Sequence, residues 1–178
     1  MDFESLCWLF AAALTLHNLE EAVYLPAWTR SAPTWFAKAG AFEFRLAAAF
    51  LTVLGYGAAL LVSTGSGVAL YFLCGYALAM LMNVLVPHVV LTLWQQRYMP
   101  GTATAVLFIL PAAALLLQAA IDEDRISLSV FVWSGPATAL GLALSLPLLF
   151  VGGRRLRFVG ARLWSGLQAA AISRKSGG

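Results

Sequence analysis

Charge is what this sequence has least of: Asp, Glu, Lys and Arg together make up 11% of its 178 residues. With 61% hydrophobic residues and a mean hydropathy of +0.84, it lacks the polar surface to coat a water-soluble globule. A soluble enzyme or soluble binding domain is excluded. Cysteine is nearly as scarce. Cys7 and Cys74 both fall inside apolar runs, without the partners that a disulfide framework or a cysteine metal site needs, and are read as small core hydrophobes. A basic leader is missing too. Met1-Asp2-Phe3-Glu4 is acidic and no small-residue cleavage site follows the first apolar run, so that run is expected to stay as a helix. The net charge of +3 arises from short clusters beside apolar spans and not from a basic face, which argues against a nucleic-acid partner.

Long apolar stretches are abundant. A bilayer core requires roughly 20 apolar residues per helix, and segments of that length run from Ser5 to Tyr24, Glu43 to Ser63, Gly67 to Trp94, Thr102 to Ala120 and Ser127 to Val151. The expected fold is an all-α membrane protein, a bundle of about five transmembrane helices, with an interfacial segment between the first two and a basic C-terminal tail. Residues 1–153 read as a single transmembrane helical domain, and residues 154–178 as a basic tail, either an amphipathic helix on anionic lipid or disordered. Between the first two spans, Leu25 to Phe42 mixes Trp28, Trp35 and Phe36 with Arg30, Lys38, Pro26 and Pro33, a composition suited to the membrane interface. Counting through the spans puts Arg30, Lys38, Arg97 and the basic residues from Arg154 to Lys175 on one side. Only Arg125, set among Asp122, Glu123 and Asp124, falls on the other. The positive-inside rule then places the N-terminus outside and the C-terminus in the cytoplasm, in the inner (cytoplasmic) membrane.

The first span ends on His17-Asn18-Leu19-Glu20-Glu21. Residues three and four apart share a helix face, so His17 lies above both Glu20 and Glu21. Ionisable groups inside a span cost a few kcal/mol each unless they pair or face a polar cavity. The simpler alternative is that the two glutamates only mark where the helix meets headgroup water. Against it, span two begins on the same side with Glu43 and Arg45, and span three ends there with Asn83 and His88, whereas the outer ends carry no such groups inside their apolar runs. Asn83 and His88 would stand about 140° apart on a regular helix. Pro87 lies between them, removes the hydrogen bond to the carbonyl of Asn83 and breaks the helix, a break that can turn both toward one pocket. Arg45 is the expected counter-ion for Glu20 or Glu21, since paired buried carboxylates repel without a cation, and Tyr98 sits near the cytoplasmic mouth. Asn18, Trp94 and Gln118 read as packing or interfacial groups.

His17-x-x-Glu20-Glu21 at the end of a first span, Asn83 and His88 in a third, then Tyr98-x-Pro100-Gly101 with Thr104-Ala105 and Pro111, together resemble the HXXEE family of small bacterial membrane proteins. The resemblance runs from about Leu14 to Pro111 and implies a multi-helix membrane fold in which His17, Glu20, Glu21, Asn83 and His88 matter. It implies no particular activity.

The leading functional expectation is a membrane enzyme acting on a lipid or isoprenoid-like substrate from the cytoplasmic leaflet, with His17, Glu20, Glu21, Arg45, Asn83, His88 and Tyr98 as its catalytic candidates. His17, Glu20, Glu21 and His88 can together supply the ligands for one divalent metal ion, zinc or iron, with a position left open. The same groups can work without metal, a buried carboxylic acid protonating the substrate and a histidine taking a proton elsewhere, as in an isomerase or cyclase. Two histidines are too few for a histidine-rich di-iron site. The alternatives are a carrier that binds a proton or metal ion, against which no polar path continues to the outer side, and a non-catalytic partner protein. Small-residue pairs such as Gly55 with Gly57 and Gly135 with Gly141 leave room for helix packing against partners, a second copy included.

Overall fold

The structure is a computed structural model, and it describes residues 1–31 and 40–176. All regular elements among these residues are helical. Helix α1 is Phe3–Trp28, opened by Asp2, whose side chain accepts from the Ser5 amide at 2.7 Å and so satisfies one of the free N–H groups of the first turn. Helix α2 is Ala41–Ser63. A tight turn, in which Gly65 takes a φ of +86°, leads to α3, Gly67–Gln95, capped by the Ser66 hydroxyl. Helix α4 is Thr102–Asp122 and α5 is Leu128–Ser176.

Four of these are long and apolar enough to cross a membrane: Ala41–Ser63, Gly67–Gln95, Thr102–Asp122 and Leu128–Arg162. Helix α1 has the length, at 26 residues, but its apolar run is cut short by His17, Asn18, Glu20 and Glu21. The outward faces are what a bilayer requires. Val53, Leu60, Leu107, Leu144 and Leu148 are each more than half exposed, whereas the inward core of Phe10, Leu14, Leu73, Tyr76, Ile109 and Leu116 is sealed. Cys7 and Cys74 are free, buried and part of that core, as expected. The Phe10 and Tyr76 rings meet edge to face at 5.8 Å. Asn18 fastens α1 to α2 by donating to Thr52 Oγ1 at 2.8 Å and to the Ala48 carbonyl at 3.3 Å, the packing role that polar residues commonly fill between apolar helices.

Two helices are interrupted, and each interruption has a proline behind it. In α3 the regular part Gly67–Asn83 gives way to a widened turn, Val84–Val89, where Val86 is extended (φ −130°, ψ 115°), before the helix resumes as Val90–Gln95. Pro87 has no N–H for the Asn83 carbonyl, so the regular ladder cannot pass this point. In α4 the turn Ala105–Ile109 is widened just ahead of Pro111, which cannot donate to Leu107.

The polar end of the bundle adds helical structure in two places. The segment read as interfacial from Leu25 to Phe42 starts as helix: α1 runs through Trp28, then Thr29–Ser31 forms a 3₁₀ turn, and buried Trp28 lies under the Arg97 guanidinium at 5.5 Å. Pro33, Trp35, Phe36 and Lys38 lie outside the described residues. At the other terminus the backbone stays helical past Gly152 and Gly153, so no break separates residues 154–176 from the last span. A helix of 49 residues is about 73 Å long, more than twice a hydrocarbon core of about 30 Å. The backbone of the basic stretch thus continues the last span as helix.

Close helix contacts depend on glycine at two points. A Cβ on Gly75 would sit 2.6 to 3.0 Å from the Thr138 side chain, and one on Gly55 would sit 2.7 Å from Leu14 Cδ2. Gly135 likewise packs within the chain, against Phe131 and Leu78, while Gly57 and Gly141 face open space. Gly75→Val is expected to force α3 from α5 and cost about 1–3 kcal/mol, whereas Gly57→Val should stay within about 0.5 kcal/mol. Unfolding of both variants in detergent, followed by circular dichroism, checks this; equal effects would mean that α3 and α5 do not pack as described.

Candidate functional site

The break in α3 brings Asn83 and His88 round to the same partner, His17 on α1. The Asn83 Nδ2 group lies 3.3 Å from His17 Nε2, and the His88 ring stands edge-on to His17 with centroids 4.9 Å apart. Both imidazoles are fully buried. Glu21, one turn below His17, completes the group: its Oε1 is 3.2 Å from His88 Nε2 and 3.8 Å from His17 Nε2. His17, Glu21 and His88 each offer a ligand atom, and these atoms lie within 4.8 Å of one another.

Glu20 takes a different direction. Its Oε2 accepts from the Thr104 hydroxyl at 2.6 Å and from the Thr104 amide at 3.3 Å, and its Oε1 accepts from the Tyr98 hydroxyl. Tyr98 is held in turn by the Ala103 amide, which donates to the phenol oxygen at 3.1 Å. Burial, reinforced by the Glu20 carboxylate, raises the pKa of Tyr98 above the ordinary phenol range. The two glutamates that shared one sector on the helix thus divide, because adjacent residues diverge by about 100° and the turn before α4 stands opposite only one of them.

That turn ends in Pro100 and Gly101. Gly101 has a φ of +94°, and a Cβ there would lie 2.5 Å from His88 Cε1, 3.0 Å from Glu21 Cγ and 3.1 Å from His17 Cε1. The backbone of Gly101 is in effect one wall of the cluster. Thr104, a turn further on, contacts His17 Nδ1 at 3.3 Å, which joins Glu20 to His17.

Arg45 is not brought to this group. It is exposed on α2 and donates from Nε to the Ala22 carbonyl at 3.1 Å, capping the α1 backbone instead of countering Glu20 or Glu21. The buried acid on α2 is Glu43, 1% exposed, with Oε1 3.1 Å from Arg157 Nη2 on α5. The sequence left the choice between Glu43 and Arg45 open; packing against Gly153, whose added Cβ would meet Glu43 at 3.2 Å, turns Glu43 inward.

Beside the cluster is a cavity of about 620 Å³ bounded by α1, α2, α3, α5 and Met99. Its polar lining groups, His17, Asn18, Glu21, Asn83 and Tyr76, are joined by an apolar remainder that includes Leu51, Met80, Leu146 and Phe150. Three lining residues, Met82 and Val86 on α3 and Leu140 on α5, are themselves 59 to 64% exposed on the outer face of the bundle.

Sequence reasoning missed Thr104 and Gly101 as parts of the site. The Pro-Gly pair signalled a turn, but no spacing along the chain reveals which side chains that turn will press against. Arg157 was read only as one of several tail charges.

A helical bundle with spans long enough for a bilayer and a histidine–carboxylate cluster at one end defines an integral membrane protein with an internal polar site. The chain belongs to the HXXEE family: residues 8–116 match the family described as "protein of unknown function with HXXEE motif". All of the cluster, from His17 to Thr104, falls within the matched residues, and Arg157 falls outside them. The chain is also 29% identical to the uncharacterized protein YrkK of Bacillus subtilis (strain 168) over 149 residues, which is 83% of this chain and 94% of that protein. No solved structure gives a significant match.

Gly101→Ala tests the wall. A left-handed Ala costs about 1–2 kcal/mol, and its Cβ must displace both imidazoles. The expected result is a lower unfolding temperature together with shifted ring resonances of both histidines in ¹⁵N-histidine NMR. Unchanged histidine resonances would mean that Gly101 does not contact them.

Proposed function

We propose that this protein is a membrane enzyme that acts on a lipid or isoprenoid-like substrate, with His17, Glu21 and His88 as the reacting end and Asn83, Glu20, Thr104 and Tyr98 positioning them. The observation that carries the reading is the cavity's asymmetry: apolar along most of its wall, polar at the histidine cluster, and rimmed by Met82, Val86 and Leu140, which face outward from spanning helices. An opening framed by apolar residues at bilayer depth communicates with hydrocarbon, so it suits a ligand that already lies in the membrane. A hydrocarbon chain would occupy the apolar wall, and the ligand's polar head would meet Glu21 and His17. Gly101 closes one side of the cluster, and Met99, Tyr76 and Met80 join the cavity's lining.

The site lies toward the cytoplasmic leaflet of the inner membrane in this reading, with the C-terminus in the cytoplasm. Support comes from the basic residues at that end of the bundle: Arg97 reaches Ser31 Oγ at 2.9 Å, tying the first and third connections together, and Arg157 reaches Glu43. At the far end Arg125 is neutralised by Glu123 at 2.9 Å.

A carrier would need polar groups leading from the cluster to the opposite end. Among the described residues the core beyond His17 is Leu14, Phe10, Cys7 and Leu6, which favours chemistry at a closed end over transport.

The test uses the full chain in lipid nanodiscs with a diazirine-bearing long-chain isoprenoid alcohol. Photolabelling is expected to concentrate on Met82, Leu140, Leu146 and Phe150, and Leu140→Trp, which narrows the opening, should reduce it at least fivefold while the unfolding temperature holds. Comparison of a bacterial lipid extract incubated with the wild type and with Glu21→Gln should show a lipid consumed only by the former. Labelling spread evenly over the outer faces, or identical extracts, would overturn the proposal.

A further inference from the structure

The two histidines of the cluster differ in a way that hydrogen bonding alone does not account for. His17 is fully engaged. The Thr104 hydroxyl gives its proton to Glu20 Oε2, the shorter of its two acceptor contacts at 2.6 Å, and is left as acceptor for His17 Nδ1 at 3.3 Å. This assigns the Nδ1–H tautomer and leaves a lone pair on Nε2, the atom that faces the Asn83 amide, Glu21 and the cavity. His88, by contrast, is 0% exposed, and neither of its ring nitrogens makes a hydrogen bond among the described residues. Its Nε2 approaches Glu21 Oε1 to 3.2 Å without the alignment of a hydrogen bond. An imidazole sealed from water, with no hydrogen bond at either nitrogen and only the Glu21 carboxylate beside Nε2, carries a desolvation cost that these contacts offset only in part.

Two imidazole nitrogens and a carboxylate oxygen around one point form the donor set of a metal site. In a tetrahedral zinc site with bonds near 2.0–2.1 Å, neighbouring ligand atoms stand about 3.3 Å apart. The separations here, 3.2 Å from His88 to Glu21 and 3.8 Å from His17 to Glu21, with all three donors within 4.8 Å, reach that arrangement by small side-chain rotations. The supporting groups also fit at His17. Metal-ligating histidines present a lone pair from one nitrogen and donate from the other to an oriented acceptor; the chain His17 Nδ1–H to Thr104 to Glu20 has this form, whereas His88 Nδ1 has no hydrogen-bond acceptor among the described residues.

We infer that His17 Nε2, His88 Nε2 and Glu21 bind one divalent transition-metal ion, of the zinc or iron(II) class, and that Glu20 acts through Thr104 to fix the tautomer of His17. The two glutamates of the His-x-x-Glu-Glu stretch then have separate tasks, ligand and positioning residue. Three protein ligands leave a position facing the cavity, as catalytic two-histidine, one-carboxylate sites do. The ion's catalytic use rests on the lipid-enzyme reading; its binding does not.

Binding is read with Co(II) as a visible-absorption probe and with Zn(II) as its competitor, on the purified full chain. The expected result is one equivalent per chain, with visible bands of a four- or five-coordinate ion that Zn(II) abolishes. His17→Ala, His88→Ala and Glu21→Gln should each remove these bands. Thr104→Val and Glu20→Gln should retain them at an affinity 10- to 100-fold weaker. Gly57→Val, at a position that faces open space, should bind Co(II) as tightly as the wild type, and a ligand variant that loses the bands while unfolding at the wild-type temperature has lost a ligand and not its fold. Absence of binding by the wild type at micromolar free metal, or wild-type affinity in His88→Ala, would overturn the inference. Photolabelling of the cavity needs no metal, so it would survive such a result if the lipid reading is right.

Discussion

Burying ionisable side chains among apolar helices is costly unless each finds a partner, and this constraint governs the whole polar end of the bundle. Glu20 is met by a backbone amide and two hydroxyls, His17 by Thr104 and Asn83, and Glu43 by Arg157. Each partner comes from a different part of the chain, so the groups that the membrane environment penalises become the points at which the helices are tied together. Removing one half of such a pair strands the other, with a penalty of a few kcal/mol. His88, with the Glu21 carboxylate beside Nε2 and no hydrogen bond at either nitrogen, is held least of the cluster's groups and is the place to look for a ligand.

The arrangement depends as much on broken backbone as on side chains. A regular α3 would hold Asn83 and His88 on different faces, and only the extended residue at Val86 lets both address His17. Irregular backbone within a span is tolerated where it is buried in protein or lines a cavity, and here it does line one, through Val86 and Pro87. The left-handed Gly101 supplies the opposite wall. Pro87 and Gly101 are therefore structural conditions for the cluster, although neither carries a reactive atom.

The cavity and the last helix give the site its setting. Helix α5 contributes Pro136, Leu140, Leu146 and Phe150 to the cavity wall, then passes Glu43 and continues as the basic stretch. One continuous helix thus runs from the cavity wall to the basic stretch. Phe44 and Phe150, both in the cavity lining, meet at a tilt with centroids 6.2 Å apart.

Composition by itself determined that this is an all-helical membrane protein, because apolar runs of bilayer length permit few other structures. It also marked His17, Glu20, Glu21, Asn83 and His88, since ionisable and amide groups stand out against so apolar a background, and Pro87 announced that α3 would break. What the sequence could not decide is which groups meet across helices. Helical spacing put both glutamates beneath His17, but the turn before α4, distant in sequence, took Glu20 away; charge favoured Arg45 as counter-ion, but α2 is rotated so that Glu43 points inward to an arginine more than a hundred residues later. Local periodicity fixes the face of a helix a residue occupies. The neighbour opposite that face is set by how helices far apart in the chain pack, and that is a property of the tertiary structure alone.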